Sequence, residues 1–216
     1  MHATRHRSLG KLGGLIRHMP WVAGLALVGT LAIAGLPPLN GFVSEWMLFQ
    51  AFLLTPGLPN SYLNMFIPVA AAALALAVAL AGYVMVKFYG IVFLGLPREE
   101  SLESAHDAGP YERAGLIWLA LWCVLLGVTP VYVVQLMDPL THGLVGGALG
   151  ESVQRAGWLF LTPVAPERAS YAPLVFLLVI VGVVLLTFLI VRHLYHGRVR
   201  RAPAWDCGFA GLNARM

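Results

Sequence analysis

Charge is scarce in this chain. Only 11% of its 216 residues are Asp, Glu, Lys or Arg, against about 25% in an ordinary soluble domain, so a water-soluble globular fold is excluded. Cysteine is scarcer still. Cys123 lies in an apolar run and Cys207 in a basic tail, which offers neither a disulfide framework nor thiolate ligands for an iron–sulfur cluster. Nucleotide fingerprints are missing too, because Gly13-Gly14 and Gly146-Gly147 do not fit a phosphate-cradling pattern. No nucleophile, base and orienting group combine into a triad. His193 and His196 share a helical face, yet no carboxylate or thiol stands near enough in sequence to complete a metal site. The basic residues form no face interleaved with aromatics, which argues against nucleic acid as a partner. The sequence thus implies no cofactor, no metal and no redox catalysis of its own, and it contains no internal repeat or low-complexity region.

What the chain has is apolar length. Hydrophobic residues make up 59% of it, and mean hydropathy is +0.77. Runs over 21–54, 62–94, 114–137 and 171–191 are long enough to span a bilayer. The expected fold is an all-α integral membrane domain over 1–216 with about four spans, the first discontinuous, forming part of a larger helix bundle. An interfacial arm occupies 1–20, a non-cytoplasmic loop 138–170 and a basic tail 192–216. The apolar run after the arm is too long for a signal-peptide core and lacks a small-residue cleavage site. Eleven of the 14 Lys and Arg residues lie in the arm, the second connection and the tail, and two (Arg155 and Arg168) lie on the other side. Basic residues are retained in the cytoplasm, so both termini are expected there, in a cell inner (plasma) membrane.

The first run carries the signal of greatest interest, Leu36-Pro37-Pro38-Leu39-Asn40-Gly41-Phe42-Val43-Ser44-Glu45-Trp46. A continuous helix from Pro20 to Leu54 would reach about 50 Å at ~1.5 Å per residue, against a hydrocarbon core of about 30 Å. The segment must break. Pro37 and Pro38 remove two amide donors, and Asn40 and Gly41 tolerate irregular backbone. Broken helices at membrane depth survive where they are buried in protein or line a watery cavity, and they mark ion paths.

Glu45 is the sole charged residue between Pro20 and Leu54. A charge in the bilayer costs about 2.5 to 3.5 kcal/mol, so two readings stand, a proton-path carboxylate and an interfacial one near the 55–61 turn. Lys87 in the second span lies about 12 Å from the helix end near Gly95, and either belongs to the path or snorkels outward. Ser44, Tyr83 and Tyr89 could support a water chain or bond helix backbone. The acidic connection from Arg98 through Asp107 and Glu112 reads as solvated. Thr129-Pro130 should kink or end the third span, and Thr141 to Leu161 reads as a surface-lying or partly helical loop.

Several stretches resemble a known family. They are Leu9-Gly-Lys-Leu-Gly-Gly-Leu-Ile-Arg-His-Met-Pro20, Ala34-Gly-Leu-Pro-Pro-Leu-Asn-Gly-Phe-Val-Ser-Glu-Trp46, the Lys87 span ending Phe93-Leu-Gly95, and Pro203-Ala-Trp-Asp-Cys-Gly208. Together they resemble the C-terminal part of the Mrp-antiporter-like membrane subunits of complex I, Mrp sodium/proton antiporters and membrane-bound hydrogenases. Within that family they most resemble the hydrogenase-4 component B or formate hydrogenlyase subunit 3 group, and the Trp-Asp-Cys-Gly tail points to the hydrogenase branch. The resemblance implies that 21–54 is the family's second discontinuous helix, that Glu45 stands at the exit of the proton path, and that Lys87 matches a basic position in the next helix. It implies a C-terminal fragment without the family's first five-helix repeat. The function it implies is proton translocation within a redox complex of hydrogenase, formate hydrogenlyase or NADH:quinone oxidoreductase type. Its partners would be other membrane subunits and the lipid bilayer, with sodium as the alternative ion. A sodium/proton antiporter component and a structural or assembly protein are the competing functions.

Overall fold

Proline sets most of the helix starts. In the computed structural model, which describes residues 4, 6–54, 61–145, 160–161 and 170–194, α1 runs Pro20–Ile33 and α2 Asn40–Leu54. α3 runs Ser61–Phe93, α4 Pro110–Val128, α5 Pro130–Val145 and α6 Pro173–Leu194. Four of these six begin on proline, whose missing donor costs nothing at the first helical position and whose fixed φ suits a helix. At α4 the start is reinforced, because Glu112 accepts the Gly109 N–H at 3.1 Å.

The protein is an all-helical multi-pass membrane protein. Residues 64–93, 110–128 and 173–194 are long and apolar enough to cross a bilayer, and α1 is a shorter apolar helix. α1 and α2 follow one another across a short interruption of the first apolar run. Both pack on α3 and α4, while α3 and α6 expose apolar side chains along their length.

Two positions differ from the sequence reading. Asn40 and Gly41, placed in the break by their backbone tolerance, form the first turn of α2. The break is 34–39, and its left-handed turn is supplied by Gly35 at φ +67°. The third apolar run over 114–137 is divided at Thr129: α4 stops at Val128, and Pro130 opens a second helix that continues through Pro139 to Val145. Pro130 has no N–H to extend the α4 ladder but fits the start of a new helix. Helix α5 therefore enters the region read as a loop from 138 onward. The rest of that loop up to 159, the 55–60 turn, and the tail with His196 and Trp205-Asp206-Cys207-Gly208 lie outside the described residues.

Two apolar clusters hold the arrangement. At the arm end, Leu15 and Ala23 pack with Val92, Phe93, Leu102 and Ala105. The arm is tied there by the Gly14 N–H to the Leu94 carbonyl at 2.9 Å and by Arg98 to the Gly10 carbonyl at 3.2 Å. At the other end, Val43 of α2 packs with Val131 of α5, Leu161 and Tyr171.

Candidate functional site

The site is built around the break. Side chains on a helix tilt toward its N-terminus, so Glu45, in the second turn of α2, reaches back one turn. Its carboxylate lies against Gly35: a Cβ there would collide with Oε2 and stand 2.9 Å from Cδ and 3.2 Å from Oε1. The carboxylate is thus held at the N-terminal, partially positive end of α2. Glu45 is half-buried, and among the described residues it forms no ion pair.

Glycine lets three backbones meet here. A Cβ on Gly41 would collide with the Ala32 carbonyl, so the first turn of α2 rests directly on the last turn of α1. From α4, a Cβ on Gly127 would collide with the Pro38 carbonyl and stand 2.6 Å from the Leu39 carbonyl carbon. Pro38 and Leu39 are buried, and the Pro37–Pro38 peptide bond is cis. The backbone donors of the break are satisfied locally, by Leu36 to Leu31 at 3.1 Å and Leu39 to Leu36 at 3.0 Å. The Asn40 side-chain oxygen is buried without a hydrogen-bond partner among the described residues.

The structure gathers Glu45, Pro37, Pro38, Asn40 and Gly41 in this one place. Lys87 is elsewhere, exposed on α3, and among the described residues no ion pair joins it to Glu45. Its ammonium stands 5.6 Å from the centroid of the Tyr83 ring, one turn back along α3, away from the helix end toward which snorkelling would carry it. Ser44 donates to the Gly41 carbonyl at 2.8 Å and Tyr89 to the Ala23 carbonyl at 3.3 Å, so both hydroxyls bond helix backbone.

Asp107 was not singled out by sequence. Read as one of a solvated acidic stretch, it is in fact mostly buried, its side chain 11% exposed. Its carboxylate accepts the N–H groups of Trp21 at 3.0 Å and Val22 at 3.3 Å, capping the open N-terminus of α1 from the α3–α4 connection. Arg113 stands 3.8 Å away and lies over the Trp21 ring. Burial pushes the Asp107 carboxyl up, but the backbone N–H groups of Trp21, Ala108 and Val22, with the Arg113 guanidinium, outweigh it and leave the group below its ordinary value of 3.8. No local signal could have found this cap, since its targets are 85 and 86 residues away. A carboxyl depressed by folding contributes stability that is present above its ordinary pKa and lost as pH falls through the lower folded value. We expect Asp107→Ala to cost about 1 to 2 kcal/mol at neutral pH, and the difference to vanish in strong acid. Thermal melts of the assembled protein across pH read both effects.

Comparison with known proteins follows the same outline. Residues 1–58 match the family model described as "NADH:quinone oxidoreductase/Mrp antiporter, TM". Formate hydrogenlyase subunit 3 of Escherichia coli is 30% identical over 209 residues, covering 95% of this chain and 31% of that protein. Hydrogenase-4 component B of Escherichia coli is 31% identical over 210 residues, covering 94% and 30%. A probable K(+)/H(+) antiporter component of Rhizobium meliloti is 32% identical over 151 residues, covering 69% and 14%. The chain spans about a third of the length of the two hydrogenase relatives. Among solved structures, a chain of the membrane-bound sulfane sulfur reductase, an archaeal respiratory membrane complex, superposes with a TM-score of 0.71 at 23% identity, covering 97% of this chain and 31% of that one. That likeness shows the fold.

Proposed function

Starting from a chain whose first 58 residues match the NADH:quinone oxidoreductase/Mrp antiporter transmembrane family, we propose that it forms the C-terminal part of a proton-translocating, antiporter-like membrane subunit. The subunit serves a redox complex of hydrogenase, formate hydrogenlyase or NADH:quinone oxidoreductase type. The observation that carries the reading is the Glu45 carboxylate folded onto Gly35 at the helix break. A carboxylate held at membrane depth beside broken backbone costs free energy unless it faces a partner or a path, and a carboxyl is suited to accept and release protons. Lys87, on an exposed face of α3 with its ammonium 5.6 Å from the centroid of the Tyr83 ring, is the second charge assigned to the path. The partners are other membrane subunits of the assembly and the surrounding bilayer, and the transported ion is the proton.

A second reading, a component of a sodium/proton antiporter, draws support from a Na(+)/H(+) antiporter subunit A1 of Staphylococcus saprophyticus that is 30% identical over 60% of this chain. Isolation of the tagged full chain from native membranes separates them: co-purification of hydrogenase or quinone-reductase subunits is the expected result, and recovery of small Mrp partners in their place overturns it. Both termini face the cytoplasm of a cell inner membrane, on the distribution of basic residues. A membrane-impermeant thiol reagent should therefore label Cys207 in everted vesicles and spare it in intact cells; labelling in intact cells reverses the orientation.

A further inference from the structure

Helix α2 is held on two faces. One carries Glu45 toward Gly35. The other carries Phe42, Val43, Trp46 and Met47, which pack in the cluster around Tyr171. The Tyr171 ring stands 5.1 Å from Phe42 and 5.7 Å from Trp46, measured between centroids, and 5.6 Å from Phe176 of α6. The residue is 4% exposed. Its backbone is fixed as well, because Leu161 and Tyr171 exchange two N–H to carbonyl bonds of 2.8 and 3.0 Å in an antiparallel bridge, and Leu161 is fully buried. The hydroxyl is buried without a hydrogen-bond partner among the described residues, so the ring and the backbone do the holding.

We propose that Tyr171 is a positioning residue for Glu45. Its ring, pinned to Leu161, seats α2 from behind and fixes the rotation about the helix axis that lays the Glu45 carboxylate on Gly35. The two contacts at Phe42 and Trp46 lie one turn apart and flank the turn that bears Glu45. A rotation of α2 therefore moves the aromatic seat and the carboxylate together. Small displacements matter at such a group, since about 1 Å at a reacting position can cost about 10²-fold in rate.

The inference rests on the reading of Glu45 as a proton carrier, and its test is kept separate from transport. In the assembled complex, the rate at which a hydrophobic carbodiimide modifies Glu45, followed by mass spectrometry of the α2 peptide, reports how firmly the carboxylate is held. Tyr171→Phe keeps the ring and should leave the rate unchanged. Tyr171→Ala should raise it several-fold, and Tyr171→Leu, which keeps most of the volume, gives the reading if the alanine variant fails to assemble. An unchanged rate in the Ala and Leu variants overturns the proposal, as does a Phe variant that changes as much as Ala. Changed reactivity with pumping insensitive to Glu45→Gln keeps the positioning and removes the relay. Unchanged reactivity with pumping lost in Glu45→Gln removes the positioning alone.

Discussion

In the assembled complex, Glu45→Gln is expected to abolish most proton movement while assembly and redox turnover survive. Glutamine keeps the length of the side chain and its hydrogen-bonding oxygen, so the contact with Gly35 persists. It removes the one property a carrier needs, a proton that comes and goes. Loss of a general acid–base group of this kind costs about 10² to 10⁴-fold in the step it serves. The measurement is acidification and redox turnover recorded together in sealed vesicles. Turnover with collapsed acidification supports the carrier. Unchanged acidification reduces Glu45 to a packing or interfacial carboxylate, and failure to assemble favours a structural role for the break.

Gly127→Ala should be the most damaging small substitution in α4. The added Cβ meets the Pro38 carbonyl and stands 2.6 and 2.7 Å from the Leu39 carbonyl carbon and Cα, all backbone atoms of a buried turn that no rotamer change can move aside. Alanine improves helix propensity by about 1 kcal/mol over glycine, while overpacking of this kind costs about 1 to 3 kcal/mol; with backbone as the obstacle, the second term wins. Gly127→Val should be worse. Gly115, on the same helix with nothing within 4 Å of its Cβ position, is the control, and Gly115→Ala should be neutral or stabilising. Melting temperatures of the assembled protein decide it: equal effects at the two glycines would show that α4 does not rest on the break as described.

How far the sequence reading reached depended on whether the cause was local. Pro37 and Pro38 break a helix through their own rings and missing donors, so the division of the first span was legible. The long apolar runs marked α3 and α6 because length and hydropathy are also local properties. Glu45 stood out as the lone charge in its run. Gly35 did not, because 23 glycines occur in the chain and only the turn geometry shows that this one, with Gly14 and Gly95, has a positive φ. Asn40 and Gly41 were assigned to the break for their flexibility, yet the use of Gly41 is to let α2 touch the Ala32 carbonyl. Gly127, Asp107 and Tyr171 are defined by what they meet across the fold. Single-sequence patterns carry no trace of that, so the cap on α1 and the seat of α2 were illegible.

The contact at Gly127 also closes the break to water at one point. With no side chain between α4 and the turn at Pro38 and Leu39, the gap there is narrower than a water molecule, and a hydrogen-bonded file cannot thread it. If Glu45 carries protons as proposed, the waters that serve it do not pass between Gly127 and Pro38.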